Sequence, residues 1–328
     1  MKVGYCFDGM VPVPEMVALA REAEAAGVES LWLAEHLCFR DAFAPAMACL
    51  AATARVTVAP AAVTPYTRHP IIAAMTAATL AEFAPGRVIL AVATGNPVAL
   101  GECGLVPERP LSAVRQFAAI VRALWRGEAV TSDGAAFRMR GARLGFTPPA
   151  PIPLYVAAMR PRMLELAGEI GDGVLLSGGI SPAFIRRSVE RVRGGAQRVG
   201  RPPAELQVAG FIVTSVHPDE GEALRAGREF LAYLFRSRAF TENLEVTGTP
   251  VDKEALAAHL ARRDWLAAAR LIPDEIVHRY SVTGTLTAGR DRFQEFLDAG
   301  LALPVLMPVG AAEQRRQAIA LAGELARG

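Results

Sequence analysis

The sequence predicts a (β/α)8 barrel of the TIM type, and three observations support this prediction. Eight short apolar runs alternate with amphipathic stretches along the 328 residues, which is typical of parallel strands joined by helices. Several predicted helices stop at a glycine before the next strand, as turns from helix to strand prefer. Neither GxGxxG after the first strand nor GxxxxGK[ST] anywhere is present, which disfavours a doubly wound sheet.

The predicted strands follow one another at regular intervals, with a polar or glycine-containing end after each apolar run. In chain order they are KVGYCF, SLWLAEH, VTVAPAAV, RVILAVAT, PLYVAAM, GVLLSGG, LQVAGFIVTSV and LPVLMPVG. Amphipathic stretches such as VPEMVALAREAEAAG and GRDRFQEFLDAG lie between them and predict helices. Each strand followed by its helix forms one βα unit, and eight such units close a barrel.

Two regions are longer than a minimal βα unit requires. Residues 127–150 are rich in turn residues and predict a hairpin or loop excursion after the fourth helix. Residues 236–282 contain DKEALAAHLARRDWLAAARLI and predict a helical insertion between strands seven and eight. Insertions at the C-terminal face of a barrel usually cover the active site. No Gly/Ser-rich linker interrupts the chain, so residues 1–328 are predicted to form a single domain.

Composition and charge exclude several classes of partner. The formal net charge is +2, which gives no support to binding nucleic acid or an anionic membrane. No apolar run is long enough to cross a membrane, and MKVGYCFDGM lacks a signal-peptide core. We therefore expect a cytoplasmic protein. The basic stretch IRRSVERVRGGAQRVGR predicts a solvated helix face, with contact to an acidic ligand tail as the alternative.

Metal and Schiff-base chemistry are both disfavoured. The only lysines, Lys2 and Lys253, lie away from the predicted strand ends, which argues against an aldolase that uses a lysine. No HxH follows the first strand, so we predict no metal site. The cysteines have no metal-binding spacing and are expected to be reduced and mostly packed as small apolar residues. They are Cys6, Cys38, Cys49 and Cys103.

The C-terminal ends of the strands are where a barrel of this kind performs its chemistry. Glu35 and His36 end the apolar run SLWLAEH, where a polar pair is unfavourable unless it has a function. A lone histidine is more often structural, but this position favours catalysis. Gly178 and Gly179 precede a predicted helix, where their backbone N–H groups could bind a phosphate. His69, directly before Pro70, is predicted to be a structural neighbour of a helix cap.

These segments make the chain recognisable. It resembles the bacterial luciferase-like flavin-dependent oxidoreductases, and most closely the deazaflavin branch typified by 5,10-methylenetetrahydromethanopterin reductase. The strongest similarity lies in SLWLAEH, VTPYTRHPIIAAMTAATLAEFAPGRVILAVATGNP and PLYVAAMRPRMLELAGEIGDGVLLSGG. The resemblance implies a (β/α)8 barrel with insertions, usually a homodimer. It also implies that coenzyme F420 or FMN lies over the strand ends.

The resemblance also implies roles for individual residues. A non-proline cis peptide, placed by position at Ala62-Val63, would form a bulge that supports the cofactor ring. His36 and Glu35 would lie beside the reactive edge of the ring, and Thr94 and Asn96 near its polar edge or side chain. The residues implied for the ribityl phosphate are Ala157, Ala158, Ser177, Gly178 and Gly179. Arg160 is a candidate partner for the phosphate or for the tail of the cofactor.

Three functions remain open at this point. The first is an F420-dependent oxidoreductase that moves a hydride between the deazaflavin and a small organic substrate. In it His36 would orient the substrate or transfer a proton, and Glu35 would tune or orient His36. The second is an FMNH2-dependent monooxygenase that activates O2 and needs a partner flavin reductase. The third, a cofactor-binding barrel without catalysis, is disfavoured because Glu35 and His36 are both present.

Overall fold

Eight parallel strands form the centre of the computed structural model, which describes residues 1–327. The barrel strands are β1 (Gly4–Phe7), β2 (Ser30–Ala34), β3 (Thr57–Ala61), β4 (Leu90–Val92), β7 (Leu154–Ala157), β8 (Gly173–Leu176), β9 (Gln207–Val216) and β11 (Leu303–Pro308). Their order around the sheet is β3-β2-β1-β11-β9-β8-β7-β4, and isolated bridges Val58–Val88 and Val63–Val92 join β3 to the β4 segment and close the barrel. The predicted (β/α)8 barrel is confirmed.

Helices connect these strands. In the first half of the chain they are α1 (Val13–Ala26), α2 (Phe43–Ala52), α3 (Pro70–Phe83), α4 (Pro97–Glu102), α5 (Pro110–Trp125), α6 (Pro161–Ile170) and α7 (Pro182–Arg198). In the second half they are α8 (Glu220–Phe235), α9 (Thr241–Val246), α10 (Lys253–Ala261), α11 (Trp265–Arg270), α12 (Asp274–Tyr280), α13 (Leu286–Asp298) and α14 (Ala312–Arg327). None of the helices within residues 1–327 is long and apolar enough to span a membrane.

Proline begins the helices on the side of the barrel where the candidate site lies. Helices α3, α4, α5, α6 and α7 each start with proline, whose fixed φ suits the first helical position and whose missing N–H is not needed there. His69 caps α3, its Nδ1 accepting a hydrogen bond from the Ile71 amide at 3.3 Å. The structural role predicted for His69 is confirmed. A rigid start lets each helix follow its strand after a short exit segment.

Aromatic side chains fill the barrel interior. The Trp32 ring on β2 meets Tyr155 on β7 at a centroid distance of 5.6 Å and Phe211 on β9 at 6.1 Å, both in edge-to-face geometry. Glycines make room for these rings, because a Cβ on Gly173 would lie 2.3 Å from the Tyr155 ring. The barrel is therefore a packed core in its lower part, and only the C-terminal ends of the strands can receive a ligand.

Both regions that exceed a minimal unit have their own secondary structure. Residues 127–150 contain an antiparallel hairpin of β5 (Val130–Asp133) and β6 (Arg138–Ala142). Residues 236–282 contain α9 to α12, and the short strand β10 (Val282–Gly284) then pairs with β9 outside the barrel. The sequence did not indicate β10. That the whole chain is one domain stays a prediction.

Two surface features differ in part from expectation. Arg187 and Arg191 of α7 pair with Glu242 of α9 at 3.2 and 3.1 Å, so this basic face contacts the helical insertion. The free cysteines Cys6 and Cys49 are buried as expected, but Cys38 and Cys103 are exposed. The expectation that most cysteines pack as apolar residues is therefore wrong for half of them.

Candidate active site

The predicted site residues lie at the C-terminal ends of five strands that are neighbours around the barrel. Glu35 and His36 follow β2, and Ala62 and Val63 follow β3. The others follow β4, β7 and β8 in that order and are Thr94, Asn96, Ala157, Ala158, Arg160, Ser177, Gly178 and Gly179. The five strand ends form a continuous arc of mostly small side chains, which leaves room for a flat ligand to lie against the backbone.

One end of this arc contains a concave pocket. Glu35, His36, Ala62 and Asn96 share it, whereas the residues after β7 and β8 lie farther along the rim. The full lining is Glu35, His36, Leu37, Ala62, Thr64, Thr67, Gly95, Asn96, Ala99 and Leu100. Within residues 1–327, no group of three or more His, Cys, Asp or Glu side chains could hold a metal ion.

The cis peptide lies one residue earlier than predicted. It joins Ala61 and Ala62, whereas the predicted bond was Ala62-Val63. Ala62 is partly exposed and lines the pocket, but Val63 is fully buried and its backbone pairs with Ala91 and Ala93 of the β4 segment at 2.9 and 2.8 Å. Ala62 is thus the residue of this segment that a cofactor ring could touch, and Val63 supports it from below.

His36 is the titratable side chain that faces the pocket mouth. Its ring is exposed on one side and packs edge-to-face against Phe39 at a centroid distance of 5.6 Å. Burial among the surrounding protein atoms lowers the pKa of His36, and the nearby Asp8 carboxylate at the end of β1 opposes this in part. The imidazole is therefore neutral at pH 7, so one ring nitrogen carries a proton and the other can accept one.

Glu35 also lines the pocket, and its carboxylate pairs with Arg68. Two hydrogen bonds join the Arg68 guanidinium to the Glu35 carboxylate, at 3.3 Å from Nε and 3.1 Å from Nη2. Arg68 also donates to Asp41 at 2.5 Å and lies 4.4 Å from the centroid of the Phe43 ring. The pKa of Glu35 is raised by burial, which outweighs the attraction of Arg68. The carboxylate near His36 that acts on its pKa is Asp8.

Arg68→Met is expected to lower the free energy of unfolding by about 2 kcal/mol, because the largely buried Glu35 carboxylate loses its partner. The value is below that of a fully buried pair, since 13% of the Glu35 side chain and 19% of Arg68 remain exposed. Chemical denaturation measures the loss. The matched control is Arg126→Met, whose pair with Glu128 is exposed, so the substitution should change the free energy of unfolding far less than Arg68→Met does. Equal losses in both variants would contradict the structural role of Arg68.

Three polar side chains of the segment between β3 and α3, those of Tyr66, Arg68 and His69, contact other parts of the chain. The Tyr66 hydroxyl donates to the Glu108 carbonyl at 2.7 Å. The His69 ring packs edge-to-face against Phe137 of the hairpin at a centroid distance of 5.4 Å. Together with the pairing of Arg68, these contacts explain why a buried strand is followed by so polar a segment. Each of the three side chains binds the segment that borders the pocket to a different part of the chain.

Thr94 and Asn96 stand at the exit of β4. The Asn96 Oδ1 accepts a hydrogen bond from the Val98 amide at 3.0 Å and so caps α4. Its Nδ2 group is the part left to face a ligand. Gly95 between them has φ +79°, and a Cβ there would lie 2.9 Å from Leu100 and 3.1 Å from the Thr64 hydroxyl. This glycine allows the tight turn that brings both polar side chains to the rim.

Gly178 and Gly179 offer two backbone donors. Within the described residues, neither buried N–H has a hydrogen-bond acceptor in the protein, which is rare for buried amides and fits a site for an anion. A Cβ on Gly178 would point at the end of the Met307 side chain at 2.3 Å, and one on Gly179 at Leu234 at 2.6 Å. A larger residue at either position would therefore disturb packing inside the protein as well as any phosphate contact.

Asn243 of α9 holds this glycine loop in place. It is fully buried, its Nδ2 donates to the Gly179 carbonyl at 2.9 Å, and its Oδ1 accepts from the Ser181 amide at 3.0 Å and the Ser181 hydroxyl at 3.2 Å. The helical insertion thus fixes the loop that follows β8. No motif in the sequence pointed to Asn243.

Arg160 directly precedes α6 and is exposed near two other cations. Lys253 of the insertion donates to the Thr241 hydroxyl at 2.6 Å, and its pKa is lowered by burial and by the positive charges of Arg160 and Arg238, with Glu245 acting in the opposite direction. Arg160 therefore lies on the insertion side of the rim. This position is compatible with its predicted contact to a phosphate or tail.

Comparisons with known proteins agree over almost the whole chain. The model of the luciferase-like monooxygenase family matches residues 3–303, which extends from the residue before β1 to the first residue of β11. A 5,10-methylenetetrahydromethanopterin reductase of Archaeoglobus fulgidus is 29% identical over 99% of this chain and 98% of its own. An F420-dependent glucose-6-phosphate dehydrogenase of Beutenbergia cavernae is 33% identical over 85% of this chain and 87% of its own.

A solved structure is also similar throughout. The coenzyme F420 dependent tetrahydromethanopterin reductase from Methanopyrus kandleri superimposes with a TM-score of 0.89 and 25% identity, over 98% of this chain and 97% of that one. The similarity thus includes both the barrel and the inserted regions that surround its mouth. The chain belongs to the luciferase-like monooxygenase family, and it is an oxidoreductase of that family.

Proposed function

We propose that the protein is a coenzyme F420-dependent oxidoreductase that transfers a hydride between the deazaflavin and a small organic substrate. The two relatives named above are a methylenetetrahydromethanopterin reductase and a dehydrogenase described as F420-dependent. Both are aligned over most of their own length, so the strand ends of the arc are included in the similarity. This favours the deazaflavin over FMN, the alternative cofactor.

The geometry that best supports this function is the arc of small residues that ends at the two free amides of Gly178 and Gly179. A flat ring system could lie over Ala62 and along the ends of β4 and β7. A phosphate at the far end of the arc would then receive two backbone hydrogen bonds in a buried position. Ala157, Ala158 and Ser177 lie between these points and leave the backbone accessible.

Coenzyme F420 supplies the hydride chemistry when bound, and the protein supplies position and charge. His36, neutral at pH 7, holds or moves a proton at one ring nitrogen beside the pocket. Glu35 acts indirectly, because its pairing with Arg68 fixes the end of β2 from which His36 projects. Thr94 and the Nδ2 group of Asn96 provide polar contacts at the opposite wall.

Anaerobic titration of the purified protein with each oxidised cofactor tests the proposal. We expect tight binding of F420, seen as a change in deazaflavin absorbance or fluorescence, and no comparable binding of FMN. Tight binding of FMN alone would overturn the proposal in favour of an FMNH2-dependent monooxygenase with a partner flavin reductase. Binding of neither would leave the protein without the proposed redox function.

We also propose that the protein is a cytoplasmic homodimer. Helix α3 presents three large apolar side chains to solvent, Ile72, Met75 and Phe83, each between 43% and 55% exposed. A cluster of this kind is typical of a subunit interface. Sedimentation equilibrium would give twice the monomer mass if this interface forms and the monomer mass if it does not.

A further inference from the structure

A separate cavity of about 520 Å³ lies between α7, α13 and the helical insertion. Its volume falls in the range of roughly 300–1,000 Å³ that small-molecule sites occupy. The first turn of α7, the end of α9 and residues of α12 and α13 line it, among them Ser181, which follows Gly179 by two positions. Among residues 1–327, no residue lines both this cavity and the pocket that contains His36. The two are therefore distinct sites.

Three arginines on three different helices give the cavity an excess of positive charge. They are Arg186 of α7, Arg279 of α12 and Arg292 of α13, and the lining also includes two carboxylates, those of Glu275 and Glu295. Arg292 is paired with Glu295. In the part of the chain that the structure describes, Arg186 and Arg279 have no carboxylate within ion-pair distance. Two guanidinium groups are thus free to bind an anion.

The hydrogen bonds of Arg279 and Arg292 leave donors without a partner. The Arg279 Nη1 donates to the Thr249 hydroxyl at 2.9 Å, so its Nε and Nη2 remain for another acceptor. The Arg292 Nη1 donates to Glu295, whereas its buried Nε has no acceptor within residues 1–327. Buried polar groups nearly always have a partner, so an acceptor that a ligand supplies would account for this nitrogen.

We propose that this cavity, named here the arginine cavity, binds an organic anion whose phosphate or carboxylate oxygens accept hydrogen bonds from Arg186, Arg279 and Arg292. Both acid groups match the paired donors of a guanidinium. Glu275, which has no cation within ion-pair distance in the described part of the chain, accepts a hydrogen bond from a hydroxyl of the same ligand. The ligand is therefore a small hydroxylated acid, and it binds without displacing the cofactor.

Isothermal titration of the purified full chain at low ionic strength, where screening is weak, tests this proposal. The probes are glycerol 3-phosphate, citrate, inorganic phosphate and glycerol. We expect glycerol 3-phosphate or citrate to bind, and the tighter of the two identifies the preferred acid group. Inorganic phosphate should bind more weakly than the tighter organic anion, because it has no hydroxyl-bearing carbon chain to contact Glu275. Glycerol should not bind, because it has no acid group.

Arg186→Met is the cleanest variant, because the side chain is exposed and its loss leaves the packing intact. It should weaken binding of the organic anion by about tenfold or more and leave the melting temperature of the ligand-free protein unchanged. Arg279→Met should weaken the same binding. The matched control is Arg290→Met on α13, which pairs with Asp291 outside the cavity and should retain the wild-type affinity. Wild-type affinity in both cavity variants, or no binding of either organic anion, would overturn the proposal.

A titration in the presence of oxidised F420 separates the arginine cavity from the proposed function. We expect the organic anion to bind the F420-saturated protein with little change in affinity, because the two sites share no lining residue. Loss of anion binding in the presence of F420 would assign the cavity to the cofactor and overturn a separate site. If F420 itself does not bind, the proposed function fails, while titration of the cofactor-free protein still decides whether the arginine cavity binds an anion.

Discussion

His36→Asn is expected to lower the turnover of the folded enzyme by about 100-fold or more, while its cofactor affinity stays nearly unchanged. His36 is the imidazole that faces the pocket mouth, and its lowered pKa leaves it neutral and able to exchange a proton. Asparagine keeps a polar side chain of similar reach, so the loss would not come from an empty cavity. Steady-state rates and a cofactor titration measure the two quantities on the same preparation.

His278→Asn provides a matched control, because His278 lies on α12 and is not part of the pocket lined by His36. It should leave the rate close to that of the wild type. A His36→Asn variant that is folded, loaded with cofactor and fully active would place His36 among packing residues. Glu35 or Asn96, which line the same pocket, would then become the better candidates for a role at the reacting groups.

The same substitution has a measurable effect on the pH dependence of stability. The native pKa of His36 lies below its value in the unfolded chain, so the unfolded state binds the proton more tightly. The contribution of His36 to stability is therefore full above the unfolded pKa of about 6.5 and falls as the pH drops below it toward the native pKa. In denaturation at several pH values, His36→Asn should lose stability less steeply than the wild type in that window.

Asn243→Leu is expected to weaken cofactor binding by about tenfold or more and to lower the free energy of unfolding by about 3 kcal/mol. Leucine has a similar size but leaves the Gly179 carbonyl and the Ser181 amide without partners in a buried place. Each such group costs about 1–3 kcal/mol. The loop that presents the amides of Gly178 and Gly179 would then relax, which accounts for the lost affinity.

Ser181→Ala is the control for this prediction. It removes one hydroxyl that donates to Asn243 and accepts from the Phe184 amide, but it leaves both contacts of Asn243 with the loop backbone. It should lower stability with little effect on the cofactor dissociation constant. If Asn243→Leu also loses only stability, Asn243 supports the insertion alone, and the glycine loop does not depend on it.

The barrel could be predicted from sequence because its strands are short apolar runs with buried residues along their whole length, such as Gly4–Phe7. The direction of side chains at the strand ends could not be predicted. Glu35 and His36 both line the pocket, but their side chains have different partners. Glu35 reaches Arg68, thirty-three residues later, and His36 reaches the mouth. Adjacency in sequence suggested that Glu35 acts on His36, whereas the hydrogen bonds of the Glu35 carboxylate come from Arg68.

Other parts of the site depend on contacts that no local pattern indicates. The cis peptide falls at Ala61-Ala62, and a run of small residues gives no signal that distinguishes this bond from the next. Asn243 lies in a helical insertion without a readable motif and contacts a loop about sixty residues earlier.

The pairing of Arg68 with Glu35 and Asp41 has a consequence for how this family can diverge. A single change at position 68 leaves two carboxylates beside the pocket without a counter-charge, and a single change at position 35 leaves a half-buried guanidinium with only a partly exposed partner. Viable descendants should therefore exchange these residues together or retain them together. The three positions would be inherited as one unit.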